Sequence, residues 1–243
     1  MCRCFRSCLL LAVVSTVATI HVHAADQFSV KDTTGKHLDI VAPTGKPILR
    51  YVYAHDTSSD ETKFNTAKVF AHVVAPNGKT TLTKGSGGKF PHHRGIFIGW
   101  SKLKQGGKSH DLWHVRNTAQ LHDKFVKTHA DAKGATVTSV INWIGTHGEK
   151  VIEETRTYKV NVQKGAYTVI DFTSRLKAVN GDVELNGDPE HAGIQFRPSQ
   201  QVAENKSAKY VFHKDGLDLK KDLNLPWAAA TFKVDDGRGP CNT

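Results

Sequence analysis

Histidine is the residue type that marks a candidate site in this 243-residue sequence, because seven of its 14 histidines fall between residues 92 and 147. Imidazole titrates near neutral pH and binds metal ions, so such a cluster can transfer protons or hold a metal. The densest segment, residues 89–95, has the sequence Lys-Phe-Pro-His-His-Arg-Gly and precedes an apolar strand. Loops that enter buried strands commonly carry binding residues. We therefore predict catalytic roles for His92 and His93 and substrate-binding roles for Arg94 and Trp100.

The segment Ser109–Val115 combines an aspartate with a tryptophan. If it is a strand, Asp111 and Trp113 share one face. A tryptophan ring can stack on the apolar face of a pyranose while a carboxylate accepts hydrogen bonds from its hydroxyl groups. We predict that Asp111 and Trp113 bind a sugar in this way, and the alternative is a core tryptophan beside a solvated aspartate.

Charged residues also lie along a predicted strand, where alternation places Glu154 and Arg156 on one face and Glu153 and Thr155 on the other. One of the two faces must belong to the core. A buried unpaired charge is costly, so the pair must be buried as a unit or line a polar cleft. In a cleft, Glu154 could act as a general base and Arg156 could bind substrate. A simple structural ion pair is the equal alternative.

A fourth segment, residues 186–198, repeats the arrangement of a polar loop before a strand. Asp188, Glu190 and His191 lie in its loop, and alternation along the strand places Gln195 and Arg197 on one face. We predict a catalytic role for His191. The predicted substrate-binding residues of this segment are Glu190, Gln195 and Arg197.

Metal and nucleophile motifs are absent from the sequence, which contains neither H-E-x-x-H, nor a paired-cysteine pattern, nor a G-x-S-x-G elbow. We therefore predict no metal and no cofactor. A transition metal is the alternative, and it would draw on the following side chains: His92, His93, His114 and His191, with Asp111 or Glu190.

The elements that must position these residues are strands. Segments rich in β-branched residues alternate with turns, and the Asn-Gly pairs at residues 77–78 and 180–181 predict tight turns. Residues 136–144, 150–163, 166–179 and 182–185 read as an antiparallel meander, with a turn at Lys164-Gly165. Residues 214–223 form at most a short helix, and residues 226–234 read as an edge strand or as a strand whose partner is missing. We predict an all-β fold of two packed antiparallel sheets, with a closed β-barrel as the alternative.

The N-terminus predicts export. Residues 1–24 combine two arginines, a short apolar run and a small-residue end, which is typical of a signal peptide cleaved near Ala24–Ala25. Residues 25–243 then form a single β-sandwich domain with Cys241 as its one cysteine, no membrane span, and a periplasmic or secreted location. The net charge falls from +10 to +8 without a basic block or helix, so we predict a solvated surface and no nucleic-acid partner.

Four of these segments together resemble one family. The segments are Pro91–Trp100, Asp111–Trp113, Glu153–Tyr158 and Gly187–Gly193. In this order they resemble the PmoA-like family of exported bacterial proteins of unknown function, over residues 43–234. The family label refers to a methane monooxygenase subunit, a membrane protein, whereas this chain has no predicted span after its signal peptide. Family members continue past the Pro-Trp strand, so the resemblance implies a chain shortened at its C-terminal end; genes for its members lie beside sugar-processing genes, which is an association only.

These observations together predict an exported β-sandwich protein with a cleft for a small molecule or glycan. If it is an enzyme, a histidine–carboxylate pair performs general acid–base chemistry on a glycoside or keto-sugar, of hydrolase, lyase or epimerase type, and arginines stabilise an oxyanion. One alternative is a non-catalytic sugar-binding module. A second alternative is a metal-dependent oxidative protein, and the sequence leaves the choice among the three open.

Overall fold

The computed structural model describes residues 27–163, 167–206, 208–218, 221–222 and 224–233. The predicted signal peptide, Cys241 and the predicted turn at Lys164-Gly165 lie outside these residues, so they stay predictions. Among the described residues, no helix has the length and apolar character needed to cross a membrane.

Strands dominate the described part of the chain. In chain order the elements are β1 (Ser29–Thr33), β2 (His37–Val41), β3 (Pro47–Val52), α1 (Asp60–Thr66), β4 (Phe70–Val73), β5 (Ile96–Trp100), β6 (Lys102–Gln105), β7 (Lys108–His110), β8 (Ala119–Ala130), β9 (Ala135–Ile144), β10 (Lys150–Val162), β11 (Thr168–Ala178), β12 (Val183–Asn186), β13 (Ala192–Phe196), α2 (Gln200–Asn205), β14 (Lys209–Phe212) and β15 (Ala228–Thr231).

Two antiparallel sheets form the body of the protein. One has six strands in the order β1-β2-β3-β4-β5-β13, and the other has four in the order β11-β10-β9-β8. Their inner faces share one apolar core, in which Ile40 and Tyr51 of the first sheet meet Trp143 and Tyr158 of the second. The predicted all-β sandwich is confirmed, and in the described part of the chain no sheet closes into a barrel.

The predicted meander is correct for β8 to β11, which pair in chain order. The turn at Asn77-Gly78 is also present, because Gly78 has φ +75° and its amide donates to the carbonyl of Ala75 at 2.8 Å. The expectation that the strand after Asn180-Gly181 continues the meander is wrong. That strand, β12, pairs instead with β6 in a separate sheet of order β12-β6-β7.

Helices are short and scarce. α1 begins after Ser59. The Ser59 side chain accepts from the backbone amide of Thr62 at 3.1 Å, and the Thr62 side chain accepts from the backbone amide of Ser59, so the two residues form a capping box. The predicted short helix at residues 214–223 does not form in the described residues of that segment. The predicted edge strand at residues 226–234 is represented by β15, which is exposed throughout and, among the described residues, pairs only with β14.

Candidate functional site

The candidate site lies on the outer face of the six-stranded sheet. On β5, Ile96 and Ile98 point into the core between the sheets, so Phe97 points to the opposite face. There Phe97 packs against Trp113, with ring centres 4.9 Å apart, and both join Phe70 in a second apolar cluster. The loops that carry His93 and His191 lie against Trp113 of this cluster.

Four histidines converge above the second cluster. The ring centres of His92 and His93 lie 4.3 Å apart, those of His92 and His114 4.5 Å, and those of His114 and His191 5.2 Å. The structure therefore brings together three histidines for which the sequence predicted catalysis, from two loops far apart in the chain. It adds His114, which sequence reasoning considered only as a metal ligand. We call these four residues the histidine cluster.

Two members of the histidine cluster are held by aspartates. Nδ1 of His114 lies 2.9 Å from Oδ2 of Asp111, and Nδ1 of His191 lies 2.6 Å from Oδ1 of Asp188. A carboxylate at Nδ1 favours the tautomer that carries its proton there, which leaves Nε2 as the basic atom of the neutral ring. The histidine also lowers the pKa of Asp188, chiefly through this hydrogen bond. Each pair is a candidate acid–base unit.

Local turn chemistry builds both aspartate–histidine pairs. Oδ1 of Asp111 accepts from the backbone amides of Trp113 at 3.2 Å and of His114 at 2.9 Å. In the other loop, Oδ1 of Asp188 accepts from the amide of Glu190 at 3.0 Å. Such side-chain bonds to the following backbone compete with strand formation. The predicted strand at residues 109–115 is therefore wrong after His110: the chain turns there, and Asp111 and Trp113 do not share a strand face.

The other two histidines are kept neutral. Burial, followed by the neighbouring His93 and His114, lowers the pKa of His92 to about 3. Burial, followed by the charges of Arg197 and Lys68, lowers the pKa of His93 to about 4. At physiological pH both imidazoles can therefore donate and accept hydrogen bonds without carrying charge.

Backbone strain accompanies the site. Phe90, just before the His92–His93 pair, and Val115, just after His114, both have φ +55°. This left-handed conformation is an outlier for a β-branched residue such as Val115 and costs about 1–3 kcal/mol. Strain of this kind concentrates at functional sites, where the surrounding packing maintains it.

Lys68 links the loop that carries His92 to the loop that carries Trp113 and His114, and sequence reasoning missed it. Its side chain is buried, and Nζ donates to the carbonyl oxygens of Trp113 and, at 3.3 Å, of His92. Burial lowers its pKa well below the usual value. The available signal was a lysine inside the apolar run of residues 67–71, Ala-Lys-Val-Phe-Ala.

Arg94 is a structural residue in this fold. Its guanidinium is fully buried and donates to the carbonyl oxygens of Phe64 at 2.7 Å, Asn65 at 3.2 Å and Pro91 at 3.1 Å. It thereby supplies donors to carbonyl groups at the C-terminal end of α1, one of which, that of Phe64, also accepts from the amide of Ala67 at 3.3 Å. The structure does not direct Arg94 toward a ligand, in contrast to its predicted role.

Neither Trp100 nor Trp113 offers an open ring face on which a sugar could stack. The Trp113 side chain is fully buried, so no face of its ring is open to a sugar, and it supports the histidine cluster instead. Trp100 packs on the opposite side of the sheet, 5.9 Å from Trp143 in the main core. The predicted stacking role of Trp113 and the predicted substrate-binding role of Trp100 disagree with this placement. The sequence pattern does not reveal the depth at which either ring is buried.

Glu154 and Arg156 form an ion pair between the sheets, away from the histidine cluster. Arg156 donates to both carboxylate oxygens at 2.7 and 2.8 Å, and the same carboxylate accepts from Trp143 at 2.8 Å and Ser174 at 2.7 Å. Both side chains are fully buried. This placement favours the structural alternative over the predicted catalytic and substrate-binding roles.

Three further predicted residues come from the loop and strand around β13. The guanidinium of Arg197 lies 5.9 Å from the centre of the Trp113 ring, within the site. Burial lowers the pKa of Arg197, while the charge of the exposed Glu190 opposes that shift. Gln195 is half-buried opposite Phe97, on the same outer face of the sheet.

Two cavities flank this region, and neither is lined by the histidine cluster. One, of about 310 Å³, lies beside Lys84 and the glycine-rich loop of residues 85–88. The other, of about 680 Å³, lies between α1 and residues 115–121 and is lined by His55 among others. In the part of the chain that the structure describes, no three His, Cys, Asp or Glu side chains have an arrangement that could hold a metal ion.

No curated protein and no solved structure matches this chain. The resemblance to the PmoA-like family therefore stays a prediction. A family profile does match residues 40–241, which contain all four histidines of the cluster and both aspartates that hold them. The chain belongs to this family, a family of unknown function designated DUF6807.

Proposed function

We propose that the histidine cluster performs general acid–base chemistry on a carbohydrate or keto-sugar. The observation that carries the proposal is the pair of aspartate-held imidazoles, His114 and His191, with ring centres 5.2 Å apart. Two such units side by side suit a reaction in which one proton is removed from the substrate and another is delivered to it.

In this mechanism one imidazole is neutral and its Nε2 accepts a proton from a substrate hydroxyl group or from a carbon next to a carbonyl group. The partner imidazole is protonated and donates its proton to the substrate oxygen that gains charge. Asp111 and Asp188 stabilise the imidazolium form on either side, so the direction of proton transfer can reverse. His92 and His93 stay neutral and hydrogen-bond the substrate.

The test is turnover by the purified protein, without residues 1–24, on a panel of glycosides, sugars and keto-sugars, followed by mass spectrometry and NMR. We expect His114→Asn and His191→Asn each to lower turnover about 10²–10⁴-fold, the usual contribution of one acid–base group, while sugar binding is retained. His129→Asn is the matched control, because Nε2 of His129 also pairs with an aspartate, Asp131, at 3.3 Å, outside the site.

A binding module would give a different result. If the unaltered protein binds sugars but transforms none of them, and the histidine variants bind less tightly, the chain recognises carbohydrate without chemistry. An equal loss of turnover in His129→Asn would contradict the assignment of the chemistry to the histidine cluster.

Export of the chain is likewise proposed from its sequence, and N-terminal sequencing of the secreted protein tests it.

A further inference from the structure

Three buried polar atoms of neighbouring side chains at the candidate site have no hydrogen-bond partner among the described residues. They are Nε2 of His93, Nε1 of Trp113 and Nε of Arg197. The ring of Trp113 lies 6.2 Å from that of His93 and 5.9 Å from the guanidinium of Arg197. Nε1 of Trp113 and Nε of Arg197 are donors, and Nε2 of His93 donates in the tautomer that carries its proton there. A buried polar atom without a partner costs about 1–3 kcal/mol, so three around one place call for a ligand that accepts from them.

The same place is rich in cations that have no carboxylate partner. Among the described residues, no carboxylate lies within ion-pair distance of Lys68, Lys84 or Arg197. Nζ of Lys84 donates only to carbonyl oxygens, at 3.1 Å to Gly85 and 2.5 Å to Gly87. All three positive charges lower the pKa of His93. The potential around that imidazole is therefore positive.

Acidic groups also lie near the site. Asp111 and Asp188 each bind a histidine, and Glu190 acts on Arg197 from the surface. None of these carboxylates pairs directly with Arg197, but all three oppose an anion bound beside it. A dianion such as phosphate is repelled more strongly by them than a monoanion is.

We propose that this arrangement is a subsite for the carboxylate of an acidic sugar, such as a uronate. The planar carboxylate accepts from Arg197, Trp113 and His93, and the rest of the sugar extends toward His114 and His191. The subsite rests on the proposed function and names the class of sugar on which that function acts. Arginine suits it because its planar guanidinium matches a carboxylate in geometry.

The test compares binding of D-glucuronate and D-galacturonate with binding of D-glucose and D-galactose by titration calorimetry, with inorganic phosphate as a further probe. We expect the better uronate to bind at least tenfold more tightly than its neutral counterpart and than phosphate. Arg197→Gln should abolish this preference. Arg175→Gln, which removes an exposed arginine on β11, is the matched control and should leave the preference unchanged.

Each other result overturns the subsite. Equal binding of the uronates and the neutral sugars would show that the unpartnered donors serve only water. Equal or tighter binding of phosphate would show a general anion site, and an equal loss in Arg175→Gln would show a surface charge effect. Turnover of neutral sugars without a uronate preference would contradict the subsite and leave the proposed function intact. If no sugar binds and none on the panel is transformed, both the subsite and the proposed function are contradicted.

Discussion

At the scale of single residues, a repeated spacing builds the site. Asp111 and His114, and Asp188 and His191, are each three residues apart, and in each pair the aspartate accepts from following backbone amides and from the imidazole. The spacing is visible in the sequence, and it is the signal that would have identified His114 as an acid–base candidate. Lys68 then fixes the backbone that carries His92 and Trp113.

Substituting this lysine tests its positioning role. Lys68→Met keeps the length of the side chain but leaves the carbonyl groups of His92 and Trp113 without their donor. We expect sugar binding and turnover to fall at least tenfold. The free energy of unfolding should change by only about 1–2 kcal/mol, because removing a buried charge offsets the lost hydrogen bonds. Chemical denaturation and binding assays measure both, with the exposed Lys124→Met as control.

Acid should destabilise the protein through the neutral histidines. The unfolded chain takes up protons near pH 6.5, whereas folded His92 and His93 do so only near their pKa values of about 3 and 4. Because the unfolded state binds more protons between these limits, the free energy of unfolding falls as the pH drops from about 6.5 to about 4. Urea denaturation should show a smaller fall in His92→Asn. An identical pH dependence in the variant would contradict the low pKa of His92.

At the scale of elements, close approach between strands and loops holds the histidines in place. Gly95 follows the His92–His93 loop with φ +43°, and a Cβ atom there would lie 2.1 Å from the carbonyl oxygen of Ala71 on β4. Gly99 meets the carbonyl oxygen of Leu112 in the same way, at 2.5 Å. The loop that carries His92 and His93 and the loop that carries His114 are therefore packed against the sheet at positions without a side chain.

Gly95→Ala should disrupt the site and the fold together. The new methyl group cannot be accommodated without moving β4 away from β5, so we expect a loss of several kcal/mol in the free energy of unfolding or a failure to fold, as for other overpacked backbone positions. Gly35→Ala is the control, because Gly35 has φ +74° but no atom within 4 Å of its Cβ position. Thermal denaturation should show a much smaller loss there, and equal losses would contradict the steric explanation.

The elements also show what local sequence can predict. The β8–β11 meander was predictable because each strand pairs with the next one in the chain. The pairing of β12 with β6 was not, because the two strands are about 80 residues apart and their register depends on the rest of the fold. The turn at Asp111 was missed because side-chain acceptance of backbone amides leaves no mark on apolar alternation.

At the scale of the whole molecule, the sandwich separates structural charges from those of the site. Glu154 and Arg156 lie between the sheets, while Arg197 and the histidine cluster lie outside the larger sheet. The sequence identified all of these residues as unusual, and alternation assigned the correct faces within β10. Which charged residues are enclosed depends on the packing of one sheet on the other, and no local pattern contains that information.

Glu154→Gln tests this separation. It leaves the buried guanidinium of Arg156 without a countercharge, so we expect a loss of about 3–5 kcal/mol in the free energy of unfolding. The partly exposed pair of Glu153 with Lys150, 2.8 Å apart, is the control, and Glu153→Gln should cost far less. Turnover per folded molecule should be unchanged in Glu154→Gln. A specific loss of turnover with full stability would return Glu154 to the catalytic role predicted from sequence.

The most direct test of the account is NMR of the histidine rings during titration with D-glucose, D-fructose and D-glucuronate. We expect the ring signals of His92, His93, His114 and His191 to shift together with one affinity, while those of His129 stay in place. This expectation is contradicted if these four signals remain unchanged at saturation while His55, which lines the 680 Å³ cavity, shifts instead.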